Sequence, residues 1–149
     1  MQGYNSKGEY SEFMDKYIED NTNIKVINKE LIYNERIKNI FIDMNRIEKN
    51  LYINDYVGAL SHLRRANEIL VSEVLNQSEI LPYEYIDLTT YNKLKLIDKM
   101  NLLENKEIDF LHEIRQTGNE AVHGGIVNPE STKMLIISFK EYLHKWIDK

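Results

Sequence analysis

The stretch RQTGNEAVHG, residues 115–124, sets Arg115, Asn119 and His123 at intervals of four, with Gly118 among them and Gly124 behind. Each step of four on an α-helix drifts by only about 40°, so the three side chains share one face. Together they could handle a phosphate. A guanidinium binds phosphate oxygens bidentately, an imidazole gives or takes a proton near neutral pH, and an amide orients either partner. His123 falls in the last turn of a helix that stops at Gly124-Gly125, where the helix dipole favours a cation by about 0.3–1 kcal/mol. Gly118 costs such a helix roughly 0.5–1 kcal/mol relative to alanine. With Ala121 it leaves a small-residue surface that another backbone, side chain or ligand could approach.

The chain has five arginines against fourteen lysines, and Arg64, Arg65 and Arg115 lie in two short clusters. Arginine stays charged when buried and matches the geometry of phosphate. Arg64 and Arg65 are therefore candidates to extend an anion site, with His112 a further candidate one turn before Arg115. The competing reading is a buried polar network that ties two helices together and fixes their register. In it Glu68 accepts from Arg65 locally or from Arg115 across the bundle, and Glu68, Gly118 and Gly124 are structural. No metal and no cofactor is expected, because the nearest His–carboxylate spacing, His112 with Asp109 and Glu113, matches no ligand motif. There is no glycine-rich phosphate loop and no Ser-His-Asp arrangement.

The elements that must position these residues read as helices. Only two prolines and six glycines interrupt the chain. Apolar residues recur with helical spacing over about 8–20, as Tyr10, Phe13, Met14, Tyr17 and Ile18, and the Asn-rich 21–30 reads as a linker. A second helix over about 31–51 carries Ile37, Ile40, Phe41, Met44, Ile47 and Leu51. A third starts at an N-cap, Asn54 or Asp55, and runs to about 77 with Val57, Leu60, Leu63, Ile69, Leu70, Val74 and Leu75 inward. Residues 81–91 form a loop. Helices over about 91–103, with Leu94, Ile97, Met100 and Leu103 inward, and 105–123 follow. The last, 129–147, opens on Asn128-Pro129-Glu130 and buries Leu135, Ile136, Phe139, Leu143 and Trp146. Short connections between long amphipathic helices imply antiparallel neighbours. The expected fold is an all-α antiparallel helical bundle over 31–149, with residues 1–30 as an N-terminal helical arm.

Length and charge bound the function. A chain of 149 residues holds one core. A net charge of −5 argues against a broad non-specific nucleic-acid surface, while leaving room for a local basic site. No apolar run reaches the length of a membrane span, and the N-terminus lacks the pattern of a signal peptide. With no cysteine there is no disulfide and no thiol nucleophile. The expected location is the cytoplasm.

Two blocks carry a family resemblance. LHEIRQTGNEAVHGG (111–125) resembles the C-terminal signature of a bacterial domain family of unknown function that recurs beside restriction enzymes and other phage-defence components. ALSHLRRANEIL (59–70) resembles that family's other block, Ala-x-x-x-Leu-Arg-Arg-Ala-x-Glu. The likeness covers about residues 54–147. That family is similar to the HEPN superfamily (higher eukaryotes and prokaryotes nucleotide-binding), helical domains that usually dimerise and include metal-independent ribonucleases. The resemblance implies an RNA or nucleotide ligand, a homodimer, and a defence-system partner protein. It implies His123 as acid/base or phosphate ligand, Arg115 as phosphate clamp and Asn119 as the orienting amide. The sequence departs from the nuclease hallmark: aligning Asn119 and His123 on Arg-Asn-x-x-x-His puts Gly118 where the arginine stands. The competing class is a non-catalytic interaction or dimerisation module, including a phage-encoded anti-defence protein.

Overall fold

The computed structural model describes residues 28–148, with side chains from residue 34 onward. Among the described residues five α-helices follow one another: α1 (Asn28–Tyr52), α2 (Tyr56–Asn76), α3 (Thr90–Lys99), α4 (Asn105–Val122) and α5 (Pro129–Ile147). A single 3-10 turn, Pro82–Glu84, interrupts the connection from α2 to α3. There is no strand among the described residues, and the helices form an all-α bundle. α2 is its axis, touching all four other helices, while α3 and α4 pack side by side.

The helix ends follow from local chemistry. Asp55 caps α2 by accepting from the Gly58 N–H at 2.9 Å, and Thr89 and Asn128 cap α3 and α5 in the same way. Glu104 and Glu107 close a reciprocal capping box at the start of α4. Three helices stop by one device. Asn54, Asn101 and Gly124 take positive φ (59°, 55° and 84°), and the next residue's N–H returns to the carbonyl five back. In α4 that bond is Gly125 N–H to the Glu120 carbonyl at 2.7 Å.

The core is the predicted apolar stripe of each helix. Ile37, Ile40, Met44 and Ile47 of α1 meet Leu60, Leu63 and Leu70 of α2, all at most 2% exposed. Each such side chain contributes about 1.5–3 kcal/mol by leaving water. Ile108, Leu111 and Ile114 on α4 and Phe139 and Leu143 on α5 complete it. The structure differs from the sequence expectation in three places. α1 begins at Asn28, so the expected linker is already helical in its last residues. α3 ends at Lys99 rather than 103, because Asn101 turns left-handed, and this leaves Met100 as an exposed cap residue. Val57 is exposed because it lies in the first turn of α2, at the end of the bundle. The expected helix over 8–20 lies outside the described residues.

The seam between α1 and α2 is lined by polar pairs seven residues apart on α1. Arg36 holds the buried Glu73 with two hydrogen bonds, Asp43 faces Arg65, and Asn50 meets His62. Asn76 also donates to Glu73, and Tyr85 donates to Asn76. Burial pushes the Asp43 carboxyl above its ordinary range, against the pull of Arg65, His62 and Arg46. Because each pair closes only at one register, the seam fixes how α1 lies on α2.

Candidate functional site

α4 carries a polar ridge, His112, Arg115, Asn119 and His123, along one side. From end to end it spans about 16 Å at the rise of an α-helix. α4 is held in place by Leu111 and Ile114 underneath and by Asn67, whose fully buried amide donates to the Leu111 carbonyl at 3.1 Å. The ridge then divides into three parts.

At its middle, Arg64 reaches over from α2. Its Nη1 donates to the Asn119 side-chain oxygen at 2.8 Å. Its aliphatic stem lies across Gly118: a Cβ built on that glycine would stand 2.8 Å from the Arg64 Cβ and 3.1 Å from its Cγ. This is why a glycine sits in mid-helix. The small surface it creates is filled by an arginine of the same chain, not left open for another molecule. Glu68 sits 3.8 Å from Arg64 Nε, one turn along α2. It therefore pairs with Arg64 and not with Arg65 or Arg115, the two partners expected.

At the α3 side, Arg115 turns away from Asn119. Its guanidinium lies 5.1 Å from the centre of the Tyr91 ring, and its Nε contacts His112 Nδ1 at 3.4 Å. The Tyr91 ring is 46% exposed and also takes the Lys95 amine at 5.4 Å and the His112 ring at 5.6 Å. An arginine N–H can only donate, so His112 Nδ1 must accept. Burial, with the Arg115 charge second, pulls the His112 pKa below its ordinary value and keeps the ring neutral for that role. On another side of α3, Lys93 donates to the Ser72 hydroxyl of α2 at 2.8 Å, and burial lowers its pKa. A patch with two cations on an exposed ring stands on a chain whose net charge is −5.

At the far end, His123 is the C-cap residue of α4 and exposed. Among the described residues its side chain has no hydrogen-bond partner. It lies eight residues, about 12 Å along the axis, from Arg115. Arg65 leaves the ridge altogether and faces Asp43 on α1 at 3.7 Å. Of the residues read from sequence, then, Arg64, Glu68, Gly118 and Asn119 come together, Arg115 and His112 come together, and Arg65 and His123 stand apart.

Tyr91 is the residue that sequence reasoning missed. The only signal was its place in the first turn after the Thr89 cap, with Lys95 one turn later. A cavity of about 620 Å³ opens elsewhere, between the α3–α4 turn and the end of α5, lined by Leu102, Leu103, Glu107, Tyr142 and Trp146. No ridge residue lines it. Among the described residues no group of three or more His, Asp or Glu could hold a metal ion, and no helix is long and apolar enough to cross a membrane.

An all-α bundle carrying a basic, aromatic-bearing ridge is thus the class that fold and geometry define. The chain belongs to the DUF4145 family, a domain of unknown function, whose family model matches residues 45–149. That span takes in α2 to α5 and the whole ridge. No curated protein and no solved structure matches the chain.

Proposed function

We propose that this chain is a HEPN-like module of a phage-defence or mobile-element system that binds nucleic acid or a nucleotide along the α4 ridge. The observation that carries this reading is the Tyr91 ring, half in solvent and bracketed by Arg115 and Lys95. Such a ring offers a face on which a base can stack, worth about 1–3 kcal/mol per base, while the flanking cations meet phosphate oxygens. Arg64 and Asn119 continue the polar track toward His123, the acid/base residue of the ribonuclease variant of this reading. In that variant the imidazole moves the proton of a ribose hydroxyl while an arginine steadies the charged phosphate. The distance from His123 to Arg115 within one chain favours binding over cleavage, unless a second chain supplies the missing arginine.

The test is fluorescence anisotropy of a labelled single-stranded RNA, run alongside a cleavage assay in EDTA. Wild type is expected to bind, and Arg115→Ala and Tyr91→Ala to lose most of that binding with their melting temperatures kept. Wild-type affinity in both variants would overturn the reading. Cleavage that survives in His123→Ala would remove that residue from any catalytic role.

A second reading, a non-catalytic interaction module, has its own observation. Ile53, Val57, Val122, Ile126 and Met134 are all exposed, and they lie at or near the ends of α1, α2, α4 and α5 that the Lys133–Tyr56 contact and the antiparallel packing of α2 on α4 put at one end of the bundle. Exposed apolar clusters of this kind mark protein contacts, and a homodimer or a defence-system partner would cover them. Sedimentation velocity on wild type and Ile126→Asp separates the cases: a dimer that the substitution dissolves supports this reading, and a monomer throughout removes the homodimer.

A further inference from the structure

On the α1/α2 seam the charges do not balance at one point. Arg36 and Glu73 close one to one. Asp43, by contrast, draws two arginines: Arg46, one turn along α1, stands 3.8 Å from Oδ1, and Arg65, across the seam on α2, stands 3.7 Å from Oδ2. The carboxylate is 1% exposed and neither oxygen accepts a hydrogen bond. The arginine side chains are the reverse, 49% and 59% exposed, and among the described residues neither donates a hydrogen bond. Each carries five N–H donors in a planar fork. One buried negative charge therefore gathers two cationic forks whose side chains stay about half in solvent and whose donors are unused.

We infer that Arg46 and Arg65, held over the buried Asp43 carboxylate, form an anion site that takes a phosphate group. Two like charges gathered on one carboxylate repel, and a phosphate that reaches both relieves the repulsion while meeting their fork donors. Asp43 supplies the preorganisation that isolated surface arginines lack, because the side-chain ordering is already met before the ligand arrives. His62, one turn before Arg65, stands beside the pair. Asn50 donates to Asp55 with its amide nitrogen, so its oxygen faces His62 Nδ1 at 2.9 Å, and that nitrogen must carry the proton. Nε2 is then the ring atom left to meet a ligand. The site uses α1 and α2 and shares no residue with the α4 ridge, so it stands or falls independently of the function proposed above.

The test follows the arginine Nε–Hε signals of the full chain by NMR, titrated with inorganic phosphate in one arm and a short single-stranded RNA in the other. Saturable shifts of Arg46 and Arg65, with Arg36 unmoved, are expected in at least one arm. Shifts with phosphate assign a free phosphate or small nucleotide, and shifts with RNA alone assign the backbone of a nucleic acid. No saturable shift of these two residues in either arm overturns the inference. The double variant Arg46→Lys, Arg65→Lys keeps both charges over Asp43 but removes the forks, and is expected to weaken binding at least about tenfold while the protein stays folded. Unchanged affinity in that variant would likewise overturn it.

Discussion

The α1/α2 seam and the α4 ridge are built from the same kinds of side chain and treat them oppositely. In the seam the carboxylates of Glu73 and Asp43 are sunk to 1% exposure; Arg36 closes on Glu73 with hydrogen bonds, while Arg46 and Arg65 stand over Asp43 and stay about half exposed. On the ridge Glu68 sits beside Arg64, Asp98 and Asp109 act on His112, and Tyr91 spreads an open ring beneath Arg115 and Lys95. Sinking a charge with its partner sets register, because breaking the pair strands a buried charge. Leaving cations half in water around an aromatic keeps their donors available. Polarity alone does not distinguish a brace from a binding surface. How closely each cation is bonded to an acid does: Arg36 is hydrogen-bonded to Glu73, whereas Arg115 rests on a ring.

The sharpest way to break this contrast is to cut the seam. Arg36→Ala leaves Glu73 buried without its main partner and is expected to cost about 3 kcal/mol, the low end for a broken buried pair because Arg36 is partly exposed. Urea unfolding measures it, and a loss below about 1 kcal/mol would put the seam among ordinary surface pairs. On the ridge the effects exchange places. Tyr91→Ala is expected to lower RNA affinity by about 1–3 kcal/mol of stacking while shifting unfolding stability by no more than about 1 kcal/mol, the scale of an exposed cation–π contact. Lys95→Ala should weaken binding evenly across sequences and reduce the salt slope by about 1.

Gly118→Ala sits between the two. Alanine is the better helix former by roughly 0.5–1 kcal/mol, yet its Cβ would press on the Arg64 stem, and overpacking costs about 1–3 kcal/mol. A net loss of about 1 kcal/mol by thermal melting is expected, and a gain would mean the α2–α4 contact yields easily. The smallest effect is the pH dependence of His112. Its folded pKa lies below the ordinary 6.5, so below that pH the unfolded chain binds more protons and stability falls with acid. His112→Gln should flatten that part of the stability–pH profile, and an unchanged slope would assign it to another group.

Much of this was legible in the sequence, for physical reasons. Helices with a continuous apolar stripe, such as Ile37 to Ile47, announce their buried face, and Asn128-Pro129 and Gly124-Gly125 announce their ends. The stop at Asn101 was not legible, because asparagine in a left-handed turn looks like any polar residue in a helix. The buried carboxylates Asp43 and Glu73 fall on polar positions of amphipathic helices, where the default is solvent. Their partners across the seam, Arg65 and Arg36, lie 22 and 37 residues away, and the local Asp43–Arg46 spacing does not record that pairing. The ridge itself was readable from four-residue spacing. Its division was not, since Arg115 turning to Tyr91 and Arg64 taking its place at Asn119 depend on where α3 and α2 lie.

The central claim is that the ridge, rather than the seam or the apolar end, meets the nucleic acid base. Photocrosslinking of a thiouridine-containing single-stranded RNA to the wild-type chain, followed by mass spectrometry of the adducted peptides, reads this directly. Adducts on the peptides of α3 and α4 that hold Tyr91 and Arg115, lost in Tyr91→Ala, are the expected result. Adducts confined to α5, or an equal pattern in the variant, would contradict it.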